Sequence, residues 1–166
     1  MKFVRSLSKN ENRRLFGWGY DICDGARYNL QWKATNLHCV LSVYGKPTTH
    51  VGILRHTVKV RRRSIVVAGI GGVVTTPIHR GRGYAVLAMK EVHRFLVKKM
   101  RIDFGLLFCP NRLKSFYVRL GWRFIHTTVF IDQPVGSVGL PLNAMVLQCG
   151  SKRWPKGTIF LQSRPW

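Results

Sequence analysis

The sequence predicts an α/β protein, a single domain over residues 1–166 with a mixed, mostly antiparallel sheet around a central βαβ unit. Its length suits one hydrophobic core. Two apolar segments of the first half, joined by a short turn, have the pattern of a β-hairpin. Further on, an apolar segment, an amphipathic helical pattern and a second apolar segment follow one another, which is the order of a βαβ unit.

The first half of the chain supplies the hairpin and the first strand of the βαβ unit. Residues 38–43 and 49–60 are the predicted hairpin strands, because a turn containing Gly and Pro separates them. The basic run at 61–63 fits an exposed turn, and the apolar residues 64–76 form the next strand. A short helix is also expected within residues 8–16.

The second half of the chain completes the sheet. A helix over residues 82–99 places Leu87, Val92 and Leu96 on one face. Residues 104–109 are continuously apolar, as in a strand that is buried on both faces. The remaining predicted elements are a helix from Pro110 to about Leu120 that Gly121 ends, strands at 122–131, 144–149 and 158–162, and a loop at 134–141.

The charge of the chain is strongly one-sided. There are 28 Lys and Arg against 6 Asp and Glu, a net charge of +22, yet 46% of the residues are apolar. That apolar content argues for a folded protein rather than a disordered basic tail. The charge favours anionic partners such as nucleic acid, phosphorylated cofactors, acidic carrier proteins or anionic lipid, and it opposes a polycationic ligand.

The sequence also bounds the compartment and the need for a metal. The four cysteines are far apart and lack the spacing of metal ligands, so no metal is expected. The first residues lack the apolar core of a signal peptide, and no apolar run approaches the ~20 residues of a membrane span. We therefore expect a cytoplasmic protein with no membrane span.

A loop rich in Arg and Gly lies between the predicted strand 64–76 and the helix that follows it. Its glycines let the backbone approach a phosphate closely, and its arginines add positive charge. The N–H groups of the following helix turn would point at the same anion. The predicted pyrophosphate site consists of Arg80, Gly81, Arg82, Gly83, Tyr84 and Ala85.

Two motifs in this order resemble the GNAT acyltransferase superfamily. The family's loop pattern, Arg/Gln-x-x-Gly-x-Gly/Ala, is met by Arg80, Gly83 and Ala85. About 30 residues further on, the family often has Tyr, two variable residues and then Leu-Gly-Phe/Trp. That second pattern is matched by Tyr117, Leu120, Gly121 and Trp122.

The resemblance implies an enzyme that binds acetyl-CoA or another acyl-CoA where two parallel strands diverge, and that transfers the acyl group by direct attack in a ternary complex. The loop 80–85 would hold the pyrophosphate, and Tyr117 would be the general acid that protonates the departing thiolate. A phenol can supply that proton without adding negative charge beside the pyrophosphate. The backbone that would pair with the pantetheine arm is Val73, Val74 and Thr75, and Asn111 would also contact the cofactor.

Segments of residues 38–166 more closely resemble nodulation-factor N-acyltransferases and aminoglycoside 2′-N-acetyltransferases. Both groups acylate the amine of an amino sugar, so the implied acceptor is a small molecule carrying a primary amine. The chain given ends in Trp166, which would contact the acceptor, and a terminal carboxylate there could bind its ammonium.

One departure from the family pattern concerns the general base. Many of these enzymes have a Glu in the strand before the loop, where this chain has Gly69. An ordered water or one of His38, His56 and His126 could replace it, since a neutral imidazole accepts protons near pH 7. We favour His126, because it lies on a predicted strand after Tyr117.

Other functions stay open at this point. The acceptor could be a lysine or N-terminus of a protein, with the basic surface docking on an RNA-bound partner, or the donor could be a long acyl chain on an acidic acyl-carrier protein. A non-catalytic nucleic-acid-binding module is a third alternative, and a homodimer is one assembly that the sequence allows. For nucleic acid, the candidate residues are the basic runs 61–63, 98–101 and 152–156 and the aromatic residues Trp18, Tyr20, Trp32 and Trp154.

Overall fold

The computed structural model describes residues 1–19 and 26–166, in which one mixed sheet is combined with three α-helices. Tyr20, considered above as a base-stacking residue, lies outside the described residues. The helices are α1 (Lys9–Phe16), α2 (Tyr84–Phe95) and α3 (Lys114–Val118). The strands are β1 (Lys2–Val4), β2 (Leu37–Val43), β3 (Lys46–Val60), β4 (Arg63–Thr75), β5 (Phe104–Cys109), β6 (Arg123–Phe124), β7 (Val129–Gln133), β8 (Gly136–Gly139), β9 (Asn143–Gln148) and β10 (Ile159–Phe160).

The sheet is built around the long antiparallel pair β3 and β4. Its order is β6-β9-β5-β4-β3-β10-β7-β8, with β2 also paired to β3 and β1 to β2. The predicted hairpin is confirmed, but its turn is shorter than expected and consists of Tyr44 and Gly45. Both have positive φ (48° and 72°), as a two-residue turn that matches the twist of the strands requires. The second strand therefore begins at Lys46.

The predicted βαβ unit is also confirmed. Strands β4 and β5 pair in parallel from Val67 with Phe104 to Ile70 with Leu107, and α2 connects them. The helix continues as one wider turn, Leu96–Met100. One face of the sheet packs against the buried side chains of α2, and the other face carries a second apolar cluster that includes Leu106 and Ile131. Strand β5 is thus buried on both faces, which explains its continuous apolar sequence.

The predictions for residues 122–141 are partly wrong. The single strand expected at 122–131 is two strands: β6 pairs with β9, whereas β7 pairs with β8 and β10. Between them the backbone of Ile125 bonds to Ala144, and the Thr127 hydroxyl donates to the carbonyl of Gly157, so the chain passes to a different part of the sheet. The loop expected at 134–141 contains β8. Glycines at both ends of this strand interrupt the alternation of apolar and polar side chains by which a strand is recognised.

Two further findings concern the described residues only. None of their helices combines the length and apolar character needed to cross a bilayer. Within the same residues, no group of three or more His, Cys, Asp or Glu side chains is arranged to hold a metal ion.

Candidate active site

A cleft opens where β4 and β5 separate. Their parallel pairing ends at Ile70 and Leu107; beyond it β5 stays with β9, and β4 continues as Gly71–Thr75. A β-bulge lies at this point, since the β3–β4 register shifts by one residue and Gly72 has φ +55°. The cleft has a volume of about 1020 Å³, and Val73, Val74 and Thr75 are among the residues that line it.

The Arg/Gly loop lies at the exit of β4. Gly81 and Gly83 have φ of +73° and +77°, a conformation that L side chains rarely adopt, and a Cβ at either position would meet no atom within 4 Å. Gly83 is the N-cap of α2 and provides no side-chain hydrogen bond there. The first N–H groups of the helix therefore face an open, glycine-lined approach, which is a ready-made anion site.

Arg80 connects this loop to the first helix. Its Nε donates to the Thr75 carbonyl at 3.3 Å, and its guanidinium lies over the Trp18 ring, 4.7 Å from the centroid. The indole Nε1 of Trp18 in turn donates to the carbonyl of Leu15 at 2.7 Å. Arg80 and Trp18 both line the cleft, whereas Arg82 is exposed on the loop. The guanidinium of Arg80 is thus held at one end of the cleft.

Tyr117 lies on α3, only 5% exposed, and its side chain lines the same cleft. The residues that follow it hold the end of the helix. Gly121 adopts φ +85°, and the backbone N–H of Trp122 donates to the Tyr117 carbonyl at 3.1 Å. The Trp122 ring packs beside Gly105, where an added Cβ would lie 2.9 Å from it. The Leu-Gly-Trp motif therefore fixes the position of Tyr117.

Asn111 is not among the residues that line this cleft. It is exposed in the turn Asn111–Leu113 and lines a neighbouring depression of about 500 Å³. The two cavities share Tyr28, Pro110, Arg112 and Leu142, so Asn111 is beside the cleft and not in it.

Trp166 explains why residue 69 is glycine. A Cβ on Gly69 would lie 2.3 Å from Cε2 of the Trp166 indole, so the side chain of a glutamate would have no room. Gly71 is similarly close to the Trp166 backbone, with 2.8 Å from its ideal Cβ position to the carbonyl carbon. Trp166 is 6% exposed, lines the cleft, and packs against Phe108 at 5.4 Å between ring centroids. Its buried Nε1 has no hydrogen-bond partner.

The histidines proposed as bases occupy very different places. His126 is exposed, packs edge-on against Phe124 at 4.3 Å, and is not among the residues that line the cleft. The Nε2 of His56 is within hydrogen-bond distance of the Leu161 carbonyl (2.8 Å) and the Ser163 hydroxyl (3.2 Å). His38, in contrast, lines the cleft. Of these three histidines, the structure therefore places His38 in the cleft that Tyr117 and Val73–Thr75 also line.

Sequence reasoning missed His50, which lies beside His38 in the cleft. The two rings are joined by a hydrogen bond of 2.9 Å between His38 Nδ1 and His50 Nε2, and His50 Nδ1 lies 2.7 Å from the Gly72 carbonyl oxygen. The hairpin register explains the contact, because His38 pairs with Gly52 and Val40 with His50, which places the two histidines diagonally on one face. A two-residue turn at Tyr44 and Gly45, recognised in the sequence, would have predicted this register and therefore the contact between the two histidines.

Burial sets the protonation of this pair. His50 is 3% exposed, and burial lowers its pKa to about 4, although the hydrogen bond with Gly72 acts in the opposite direction. Burial also lowers the pKa of His38. Both imidazoles are therefore neutral at pH 7.

The described residues make the cleft electropositive. Lys33, Arg80 and Arg112 line it, and no Asp or Glu is found among its described lining residues. Elsewhere in residues 1–19 and 26–166, acids are paired with bases: Glu11 with Lys2, Glu91 with Arg94, and Asp103 with Lys152. The cations that line the cleft favour the binding of phosphate groups.

Comparison with known proteins agrees with this architecture. A search of curated protein sequences found no match. Among solved structures, a candidate N-acetyltransferase from Lactobacillus plantarum superposes with a TM-score of 0.59 at 17% identity, over 89% of this chain and 97% of that one. Eis1 from Mycobacterium abscessus gives 0.57 at 16% identity, over 76% of this chain and 31% of its own. At these low identities the two similarities support the fold alone.

A family model identifies the family, and one further structural match shows how much of a larger protein the chain spans. A GCN5-related N-acetyltransferase from Kribbella flavida is 26% identical with a TM-score of 0.47; the match covers 53% of this chain, which spans about a fifth (21%) of that protein. The family model described as an acetyltransferase (GNAT) domain matches residues 32–125, more than half of the sequence. The chain thus belongs to the GNAT acetyltransferase family, a family of acyl-transferring enzymes.

Proposed function

We propose that this chain is a CoA-dependent N-acyltransferase that transfers an acyl group, most simply acetyl, to the primary amine of an amino sugar. The observation that carries the proposal is the cleft between β4 and β5, which has the Arg/Gly loop at one end and Tyr117 in its wall. Family membership supports acyl transfer, and the resemblance to enzymes that acylate amino sugars supports this acceptor class.

The donor fits the residues present. The glycine-lined approach to the start of α2 suits a pyrophosphate, with Arg80 and Arg82 beside it. The β4 segment Gly71–Thr75 has left its partner β5, so it can offer backbone groups to the amides of a pantetheine arm. Tyr117 is buried in the same cleft and can protonate the departing sulfur.

The other side of the cleft suits a sugar ring with a single amine. Its lining includes the aromatic side chains of Tyr28, Trp32 and Phe108, and apolar walls with a few polar groups are typical of small-molecule sites. The cations of the cleft disfavour a polycationic aminoglycoside relative to a singly charged amino sugar. We therefore expect glucosamine, which carries a single amine, to be a better acceptor than aminoglycosides.

The test is thiol release from acetyl-CoA in the presence of glucosamine, its oligomers and a panel of aminoglycosides. We expect turnover with at least one amino sugar and a rise in melting temperature with CoA alone. Absence of both a thermal shift and turnover with every amine would overturn the proposal. Repeating the assay with longer acyl-CoAs would separate an acetyltransferase from a long-chain acyltransferase of the nodulation type.

The same preparation tests a protein acceptor. Incubation with acetyl-CoA and a mixture of basic ribosomal proteins, followed by mass spectrometry, would detect acetylated lysines or N-termini. Acetylation of proteins together with no turnover on amino sugars would support the acyltransferase activity and show that the acceptor is a protein rather than an amino sugar.

A further inference from the structure

We propose that His38 takes the proton from the acceptor amine during acyl transfer and that His50 positions it through the Gly72 carbonyl. This inference rests on the proposed N-acyltransferase function. It supplies the general base that the family motif would place at residue 69, where Trp166 leaves no room for a glutamate.

One carbonyl group sets the tautomers of both rings. A carbonyl oxygen only accepts, so His50 Nδ1, 2.7 Å from the Gly72 oxygen, must carry the hydrogen. The Nε2 of neutral His50 is then an acceptor, and His38 Nδ1, at 2.9 Å, must be the donor. It follows that His38 Nε2 carries the free lone pair. A base with a fixed orientation and a defined acceptor atom results.

The surroundings keep that lone pair available. Phe16 packs edge-on against His50 at 5.0 Å between ring centroids, and His50 is almost fully buried while His38 is half-buried and lines the cleft. Burial opposes protonation of the pair at rest. Among the described residues, the other titratable and charged ones that line the cleft are Tyr28, Lys33, Arg80, Cys109, Arg112 and Tyr117.

The hydrogen-bonded chain also stabilises the proton once it is accepted. When His38 Nε2 takes a proton, both rings can share the charge, because His38 Nδ1 donates to His50 Nε2 and His50 Nδ1 donates to the Gly72 oxygen. Gly72 is the bulge residue at the start of the diverged segment of β4, so the chain ends on the donor strand. The base is thus anchored to the element that would position the thioester.

The step balances with the groups present. The amine nitrogen bonds to the thioester carbonyl carbon while the carbon–sulfur bond breaks and its electron pair leaves on sulfur. The proton lost by nitrogen goes to His38 Nε2, and the sulfur takes the proton of Tyr117. The products are an amide and a free thiol, and Tyr117 regains its proton from His38 through solvent. An acceptor that enters as an ammonium first releases one proton to solvent.

The kinetic experiment uses variants that separate hydrogen bonding from proton transfer. His38→Gln keeps a donor to His50 but cannot accept the proton, and we expect kcat to fall about 100-fold with the KM for acetyl-CoA within twofold. The wild-type kcat should show an acid limb at a pH below the ordinary pKa of histidine, because burial lowers the pKa of His38, and this limb should vanish in His38→Gln. His93→Gln, on α2 and not among the residues lining the cleft, is the matched control.

His50 is tested as a positioning residue. A glutamine at this position can donate to the Gly72 carbonyl and accept from His38, so His50→Gln should retain kcat within about threefold of wild type. His50→Leu, which can do neither, should lower kcat about 10-fold. Equal losses in both variants would contradict the positioning role. A loss of kcat in His126→Gln together with no loss in His38→Gln would assign the base to His126 and overturn the proposal.

A second measurement is independent of activity. Nitrogen-15 spectra of the imidazoles at pH 7 should show both histidines neutral with the hydrogen on Nδ1, and His50→Leu should release the His38 tautomer. A hydrogen on His38 Nε2 in the wild type would overturn the proposal. Turnover with an unchanged pH profile in His38→Gln would overturn the role of His38 and leave the acyltransferase function standing. Absence of turnover in the wild type with every amine would overturn both.

Discussion

The two walls of the cleft are assembled in different ways. The wall to which we assign the donor, the donor wall, consists of Gly71–Thr75, Arg80 and Tyr117 with the adjoining loop 81–85, and neighbouring residues in the sequence supply most of it. The acceptor wall consists of His38, His50 and Trp166, which the hairpin register and the final segment of the chain bring together. The donor wall can therefore be recognised from local motifs, whereas the acceptor wall depends on long-range packing.

The largest expected effect tests the chemical role of the donor wall. Tyr117→Phe keeps the buried ring but removes its hydroxyl, so kcat should fall about 1000-fold if the phenol supplies the leaving-group proton. The Kd for CoA, measured by titration calorimetry, should stay within twofold. Equal losses of turnover and CoA affinity would show that Tyr117 holds the donor rather than acting as an acid.

Local chemistry explains which parts of the fold the sequence could predict. The glycines at 81, 83 and 121 mark positions with positive φ: Gly83 caps the start of α2, Gly81 lies in the loop before it, and Gly121 follows α3 closely. Such positions are visible in the sequence because only glycine adopts this conformation at little cost. The βαβ unit was similarly visible, because β5 is apolar along its whole length.

Long-range packing explains what could not be predicted. The function of Gly69 depends on Trp166, almost 100 residues later, and no local pattern links the two. His50 is adjacent to His38 only because the turn consists of Tyr44 and Gly45; the longer turn assumed from the sequence conceals the register. The division of residues 122–131 between two strands likewise follows from partners elsewhere in the sheet.

The second prediction concerns the acceptor wall and pH. Because the pKa of His50 is about 4 in the fold and 6.5 as a free side chain, the unfolded chain binds more protons between these values. The free energy of unfolding should therefore be constant above pH 6.5 and fall as the pH drops toward 4, by up to about 3 kcal/mol. Urea unfolding at pH 7.5, 5.5 and 4.5 measures this.

The control for that measurement is His50→Gln, which should lose most of the slope between pH 6.5 and 4. Glu11 titrates in a different window: its hydrogen bond with Lys2, aided by the backbone of Ser8, lowers its carboxyl pKa to about 2. The contribution of Glu11 to the free energy of unfolding is lost only below about pH 4.5. A slope between pH 6.5 and 4 that persists in both His50→Gln and His38→Gln would show that the histidine pair is not its source.

The third prediction tests the contact between β4 and Trp166 of the acceptor wall. Gly69→Ala places a Cβ against rigid ring atoms of Trp166, so it should destabilise the fold by about 2 kcal/mol through overpacking. In a Trp166→Ala background the same change should cost almost nothing, since the ring is absent. A double-mutant cycle by urea unfolding measures the coupling. Additive effects would mean that Gly69 is required by something other than the indole.

The smallest expected effect concerns the exposed part of the donor wall. Arg82→Ala removes one solvent-screened charge from the loop, so the KM for acetyl-CoA should rise only about fivefold at low salt, with kcat unchanged. The matched control is Arg62→Ala, in the turn between β3 and β4, which removes the same charge from a distant surface. If the loop binds the pyrophosphate locally, Arg62→Ala leaves KM unaltered and the Arg82→Ala effect shrinks as salt is raised. Equal increases in both variants would attribute donor binding to the overall charge of +22 instead, and the donor wall would then be no more specific than the rest of the basic surface.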